Sequence, residues 1–440
     1  MKKFITLILA VAGYVGTASA TDYYIGANTL DNGSNWAIQG QMTDEDGDGI
    51  YSLTIQVPVR VYVSDGDDYF TKFYFTIFTS STIDWNCAYR PTNGETWFSN
   101  NVAEIELSTN ASLNEASIGY GNSYEDDANK NFASALKLDF DPSTMKLKAT
   151  RLIAVITANN NWSTSTDYLT ETSNGSKIYS GNVSITTSGF KFYLHEKGWE
   201  YYGRNGGSGY IVNTTGDNVT VAEDGLYSLT AHLSDFVWQD PILLINVSAG
   251  TYGMATFSST HALDFTGITD VSVYTITAAN KATGELTKSP VTGQVAASTG
   301  LYIEGEANAS AYVPVTTYDT AADGNMLVGV NSEISSLSQT TGDNTNYILT
   351  VNSANGNVAP PKFFKVNTAG NTVPAGKAYL QIPTASAARE FFWFGEDATA
   401  IDAVEQNATV DGTAYNLAGQ RVAQPTRGLY IVNGKKVIVK

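Results

Sequence analysis

Gly49-Ile50-Tyr51-Ser52-Leu53-Thr54-Ile55-Gln56-Val57 places apolar side chains at the odd positions from Tyr51 onward and polar ones at the even positions. That two-residue period marks a half-buried strand, with one face on a core and the other in water. Around it stand Trp36 on the upstream side and Lys72-Phe73-Tyr74-Phe75, Trp85 and Tyr89 on the downstream side. The same order then returns: Trp162, Lys177-Ile178-Tyr179-Ser180, Lys191-Phe192-Tyr193-Leu194, Trp199 and Tyr202-Gly203. Only the gaps differ. Trp to Tyr is 15 residues and then 17, and Tyr to Lys is 21 and then 12, so the first copy carries an insertion. The sequence therefore predicts two related β modules, each with its own tryptophan set.

Composition agrees with an all-β chain. Of 440 residues only 15% are charged, while 12% are aromatic, including 26 Tyr, with 39 Gly beside them. Disorder requires low hydrophobicity and high charge, so the chain is read as folded. A formal charge of −18 repels nucleic acid and anionic lipid alike. Met1-Lys2-Lys3, the apolar run Phe4 to Val15 and Ala18-Ser19-Ala20 have the three parts of a secretory signal peptide, with cleavage expected after Ala20. No other stretch is long and apolar enough for a transmembrane helix. Cys87 is the single cysteine, which excludes an internal disulfide and leaves core packing to hold the fold. An exported protein is expected.

Turn and strand signals divide the chain after the signal peptide (1–20) into four segments. The first module, 21–150, closes on Ala135 to Phe140, a turn at Asp141-Pro142-Ser143-Thr144, and Met145 to Ala149. The second, 151–245, opens at Leu152 to Thr157 and ends on a hairpin about Asp224-Gly225. From 246 to 400 Trp becomes scarce, and a further β-domain of unknown role is expected. The tail, 401–440, holds strands about Gly428 and an Asn433-Gly434 hairpin turn. The fold class is all-β: tandem antiparallel, immunoglobulin-like sandwiches, a further β-domain and a small β tail.

The tryptophans have two readings. Trp is large and packs well between sheets, so one per module in a core is expected. An indole at the surface instead offers a flat apolar face to the C–H face of a sugar ring, with polar neighbours for its hydroxyls. The polar neighbours Arg90 and Arg204, and the Asn-rich turns before Trp36 and Trp162, favour the platform. The candidate glycan-binding set is Trp36, Lys72, Trp85, Tyr89, Arg90, Trp162, Lys191, Trp199, Tyr202 and Arg204. A ring covering ~100 Å² of sugar gains about 2.5 kcal/mol before association costs. Two tethered sites on one polymer raise weak binding by avidity.

Asp44, Asp46, Asp48 and Gly49 match positions one, three, five and six of a calcium-binding EF-hand loop. Position twelve is Ile55 and supplies no carboxylate, so an acidic hairpin turn is the preferred reading and calcium the alternative; no other cofactor is expected. His195, His232 and His261 lack metal-ligand spacing, and no nucleophile elbow or phosphate loop is present, so the chain is read as non-catalytic.

Phe190-Lys191-Phe192 with Trp199, Tyr202 and Gly203 resembles the starch-binding β-sandwich modules of Sus-type outer-membrane glycan-binding proteins. Tyr24-Ile25-Gly26, Trp36, Gly49-Ile50-Tyr51 and Lys72-Phe73 resemble the same module in a first copy. The resemblance covers about half the chain. It implies α-glucan bound on a Trp/Tyr arc backed by a basic residue: Trp36, Lys72 and Trp85 in one module, Trp162, Lys191 and Trp199 in the other. Tyr415 to Val422, Gly428 to Val432 and Lys435 to Lys440 are similar to type IX secretion sorting domains, which implies recognition by outer-membrane secretion machinery and release to, or attachment at, the cell surface. The leading expectation is a non-catalytic carbohydrate-binding protein; its rival is a structural or adhesive surface protein.

Overall fold

A computed structural model describes residues 21–28, 36–57, 62–63, 69–92, 96–109, 118–123, 133–196, 199–204, 211–212, 217–351, 353–354, 357–358, 360–386, 389–394, 405–406, 414–416, 420–422, 428–432 and 435–439. The signal-peptide region and the Asn433-Gly434 turn lie outside these residues. Among them the fold is all-β, in mostly antiparallel sheets, with two single 3-10 turns. Among the described residues no helix is long and apolar enough to cross a membrane. The chain divides into two compact units, 1–245 and 246–440.

The first unit begins with a two-sheet sandwich. One sheet runs β2 (Trp36–Met42), β1 (Tyr23–Asn28), β4 (Tyr69–Phe78), β7 (Ile118–Ser123), β5 (Thr96–Phe98). The facing sheet runs β3 (Tyr51–Gln56), β8 (Ala135–Asp141), β9 (Lys146–Thr157), β6 (Glu104–Ser108). Alternate residues of both sheets meet in one core: Ile25, Ala27, Phe75, Ile77, Phe98, Ile118 and Tyr120 against Ile55, Ile105, Leu136, Leu138, Phe140 and Leu147.

The expected break at residue 150 falls inside β9, which continues through Thr150 and Arg151 as one 12-residue strand. No turn residue interrupts it. Its burial changes from alternating at Lys146–Ala149 to continuous from Arg151 on, because the later residues are covered on both faces. Ile153 and Val155 enter the second core, while Ala154 and Ile156 pack with Tyr193 and Tyr168 on the other side. β9 thus pairs with β8 and β6 in one half and with β10 (Tyr168–Glu171) and β12 (Phe190–Glu196) in the other. The sheet continues to β11 (Ile178–Ile185) and β14 (Gly225–His232) on one side, and to β13 (Trp199–Arg204) on the other. One face of β9, β10, β11, β12 and β14 lines a single cluster, so this part of the sheet curls around it.

A buried ion pair fastens the seam between the two halves. Arg151 and Glu171, each 3% exposed at the side chain, meet at 3.0 Å. Arg151 also donates to Asn174 Oδ1 at 2.6 Å, and Asn174 Nδ2 donates to the carbonyls of Ser99 and Asn100 in the first module.

The second unit holds a four-stranded antiparallel sheet, with Leu301–Glu304 between Met254–Phe257 and Ser272–Ala279, and a six-stranded sheet centred on Asn344–Thr350 and Lys377–Pro383. Tyr302, Tyr347, Phe363 and Phe392 fill its core. In the C-terminal sheet Lys435–Val439 has a neighbour on each side: Gly428–Val432, antiparallel, and Glu405–Gln406, parallel. The terminal strand is therefore interior rather than an edge.

Candidate functional site

In the first module Trp36 and Trp85 come together on the outer side of the β2-β1-β4-β7-β5 sheet. Their rings lie 4.8 Å apart at 79°, and both rest on Phe78, at 6.5 and 5.3 Å. Phe78 is fully buried although it alternates with the core residues Phe75 and Ile77, because this outer cluster covers it. Gly26 makes the seat: a Cβ there would stand 2.4 Å from the Phe78 ring. Trp85 opens a 3-10 turn, Trp85–Cys87, capped by Asp84. The Asn86 N–H holds the Asp84 carboxyl below its usual range, against the cost of burial and with help from Cys87 and the Asn86 side chain.

Tyr89 and Arg90 do not join this surface. The Tyr89 N–H donates to Ile77 O and turns the segment inward. Tyr89 is 9% exposed and packs edge-on against Tyr23 and Phe140 in the core. Burial, with Tyr23 beside it, pushes its hydroxyl up to about 12. Arg90 is 8% exposed, and its Nη2 donates to Trp85 O at 2.8 Å, so it positions the turn from below. The Lys72 backbone on β4 pairs with Gly121 on β7, and the Lys72 side chain lies outside the described residues.

In the second module Trp162 stands out from the turn after β9 at 41% exposure. Asn161 and Trp162 are both left-handed, with φ of 53° and 56°. Asparagine tolerates that region; a bulky indole residue there is an outlier, costing about 1–2 kcal/mol. Asn160 holds the turn. Its Oδ1 accepts from Thr157 N and Ser163 N, and its Nδ2 donates to Val155 O and to Asp167 Oδ2. The Trp162 N–H donates to Thr157 O at 2.8 Å.

Thr157 pairs with Phe190 and Ile156 with half-buried Lys191, so the turn that carries Trp162 leaves β9 at the end where Phe190 opens β12. Tyr202 pairs with Phe192, and Arg204 lies at that same end of β13. Trp199 pairs with Glu196 at the far end of β12, six residues and about 20 Å of strand from Phe190. The backbone therefore separates Trp162 from Trp199. The side chains of Trp199, Tyr202 and Arg204 lie outside the described residues.

Two ring residues that pattern-matching overlooked complete the aromatic face of the first module. Tyr74 and Trp97 meet at 5.2 Å and 63°, both half-buried. The apolar character of β4 on both faces was the available signal for Tyr74. Trp97 sits on a three-residue strand that pairs in parallel with β7, and nothing in the repeat marks it.

The facing sheet presents a different surface. A cleft of about 930 Å³ is lined by Asp46, Asp48, Glu104, Asp139, Lys137 and Lys146, among others. Charges there pair with each other: Lys137 with Asp139 at 3.1 Å and Lys146 with Glu104 at 2.7 Å. Beside them, the Ser143 and then the Thr144 hydroxyl pull the Asp141 carboxyl down to about 2. The ligand atoms of Asp44, Asp46 and Asp48 gather within 4.8 Å of one another. Their oxygens already accept from the turn's own N–H groups: Asp44 from Gly47 and Gly49, Asp46 from Asp48, Asp48 from Ile50. Position twelve, Ile55, is buried in the core on β3.

No family model and no curated protein matches the chain. Among solved structures it is similar to the crystal structure of SusF from Bacteroides thetaiotaomicron, at 13% identity, over 67% of this chain and 72% of that one, with a TM-score of 0.21. A likeness that faint carries no argument.

Proposed function

We propose that the chain is an exported, non-catalytic carbohydrate-binding protein that takes a neutral α-glucan polymer on tryptophan platforms in both modules of its first unit. The observation that carries this reading is Trp162, an indole held in left-handed backbone at a cost, locked there by four hydrogen bonds of Asn160, and still 41% exposed to water. A residue serving only the core would be placed without strain and out of water. Backbone strain kept by its surroundings gathers at working sites. Trp36 and Trp85 form the counterpart in the first module, with Trp85 fixed by Asp84 and Arg90.

The rival reading, a purely structural surface protein, draws on one observation: Trp36 and Trp85 also bury Phe78. Affinity electrophoresis through amylose, pullulan, xylan and mannan separates the two. Retardation in amylose and pullulan is expected, weakened in Trp162→Ala and nearly abolished when Trp36→Ala is added. Free migration of the unaltered protein in all four gels overturns the carbohydrate reading.

A further inference from the structure

The outer face of the β2-β1-β4-β7-β5 sheet carries a longer ring surface than the Trp36–Trp85 corner. Strand pairing sets Trp36 opposite Asn28, Asn28 opposite Tyr74, Tyr74 opposite Gly119, and Gly119 opposite Trp97. Directly paired residues share a face of the sheet. One cross-strand row therefore reads Trp36, Asn28, Tyr74, Gly119, Trp97, and the adjacent Ala27, Phe75, Ile118 and Phe98 point the other way into the core.

Gly119 fixes the posture of Trp97. A Cβ on Gly119 would stand 2.4, 2.5 and 2.6 Å from Cδ2, Cε3 and Cε2 of the indole. Three bonded atoms around the ring fusion can lie nearly equidistant from a point only when that point is over the ring face. The indole therefore lies flat on the sheet, with its opposite face turned outward. A side chain at position 119 would lift it.

We propose that this row is a track for a single neutral polysaccharide chain lying across the strands, from Trp36 over Tyr74 to Trp97. The proposal rests on the carbohydrate reading above and names the path in the first module. None of the five residues carries a charge, in a chain whose formal charge is −18, so the row is matched to an uncharged ligand. Asn28 is buried between them, so the rings of Trp36, Tyr74 and Trp97 are what the row offers to the C–H faces of a sugar chain. The row covers four strand spacings, about 19 Å, the length of roughly four pyranose units in an extended chain. Successive strands rotate by about 20–25°, so the rings follow a shallow twist that a single soluble chain can track and a flat crystalline face cannot.

The test is titration calorimetry with maltose through maltoheptaose on Trp162→Asn protein, so that the first module is read alone. Affinity should rise with chain length to about four units and then level. Trp97→Ala should weaken maltopentaose binding about tenfold and make the profile level at shorter chains. Gly119→Ala, which keeps the indole but tips it, should do the same. Since either change could disturb folding, indole N–H resonances of the Trp162→Asn protein are followed as maltopentaose is added, and both Trp36 and Trp97 should shift. A shift at Trp36 alone, or an unchanged length profile in Trp97→Ala, overturns the track while leaving the carbohydrate reading intact. Binding by the unaltered protein but none by Trp162→Asn also overturns the track. Failure of the unaltered protein to bind any maltooligosaccharide or polymer overturns both.

Discussion

The two modules of the first unit bring tryptophan to the surface by different means. The first uses a sheet: Trp36, Tyr74 and Trp97 sit on paired strands, their spacing follows from strand pairing, and Gly26 and Gly119 give up side chains so that rings can lie over them. The second uses a turn: Trp162 is held out in left-handed backbone by Asn160. A sheet row is rigid and unstrained, yet it can only run across strands. A turn can aim one ring anywhere, and backbone strain is its cost, offset here by hydrogen bonds to Asn160. The outer face of the β3-β8-β9-β6 sheet sharpens the contrast. Its paired Lys137, Asp139, Lys146 and Glu104 favour water over a sugar ring.

The comparison assumes that both devices stand on one cooperative body, and the seam tests that first. Glu171→Ala leaves the Arg151 guanidinium buried beside Asn174 without its counter-charge. Removing one partner of a buried ion pair costs about 3–5 kcal/mol. Thermal unfolding should show the midpoint lowered by roughly 10 °C, still as one transition across the first unit, because β9 runs through both cores. Two separate transitions, only one of them moved, would mean that the modules are independent bodies sharing a strand in name only.

Much of this frame is legible in the sequence, and the limits of that legibility are physical. Period-two alternation locates β3 and β4, and the double apolar face of β4 already hints at rings on its outer side. Strand partners are not local. The row that joins Trp36 to Trp97 depends on pairings among five strands, one of them parallel, and no spacing along the chain encodes it. Tyr89 and Arg90 follow Trp85 closely and look like site residues, but the Phe78–Ala88 bridge turns that segment toward the core. The Asn159-Asn160-Asn161 run marks a turn without saying which amide anchors it. The continuity of β9 was missed because a strand can change the face it buries without any change of residue class. The single tryptophan of the second unit, Trp393, lies tilted at 40° to Phe391 with the Arg389 guanidinium over its ring.

A smaller effect follows from the anchor of the turn. Asn160→Ala removes two donated and two accepted hydrogen bonds at a half-buried position. A cost of about 1–3 kcal/mol is expected, less than at the seam because water can reach part of the turn. Polymer retention should fall in parallel, although no ring has been removed, since Trp162 loses its fixed direction. The sheet row needs no such anchor, so maltooligosaccharide shifts at Trp36 should persist. Full retention by Asn160→Ala would show that the turn's posture does not matter for binding.

The smallest effect on stability belongs to the strained residue itself. Trp162→Asn replaces a bulky side chain in left-handed backbone by one that tolerates it, so strain of about 1–2 kcal/mol is relieved. Against this stands the loss of the apolar area the indole covers, which is partial because the residue keeps 41% of its surface in water. The two terms nearly cancel, and the variant should match the parent or exceed it by up to about 1 kcal/mol in denaturant unfolding. Retardation in amylose should weaken all the same. Stability held or raised while binding falls is the signature of a residue kept for its ligand and not for the fold. A destabilisation of more than about 1.5 kcal/mol would instead make Trp162 a packing residue whose exposure is incidental, and the turn would lose its place beside the sheet row as a second binding device.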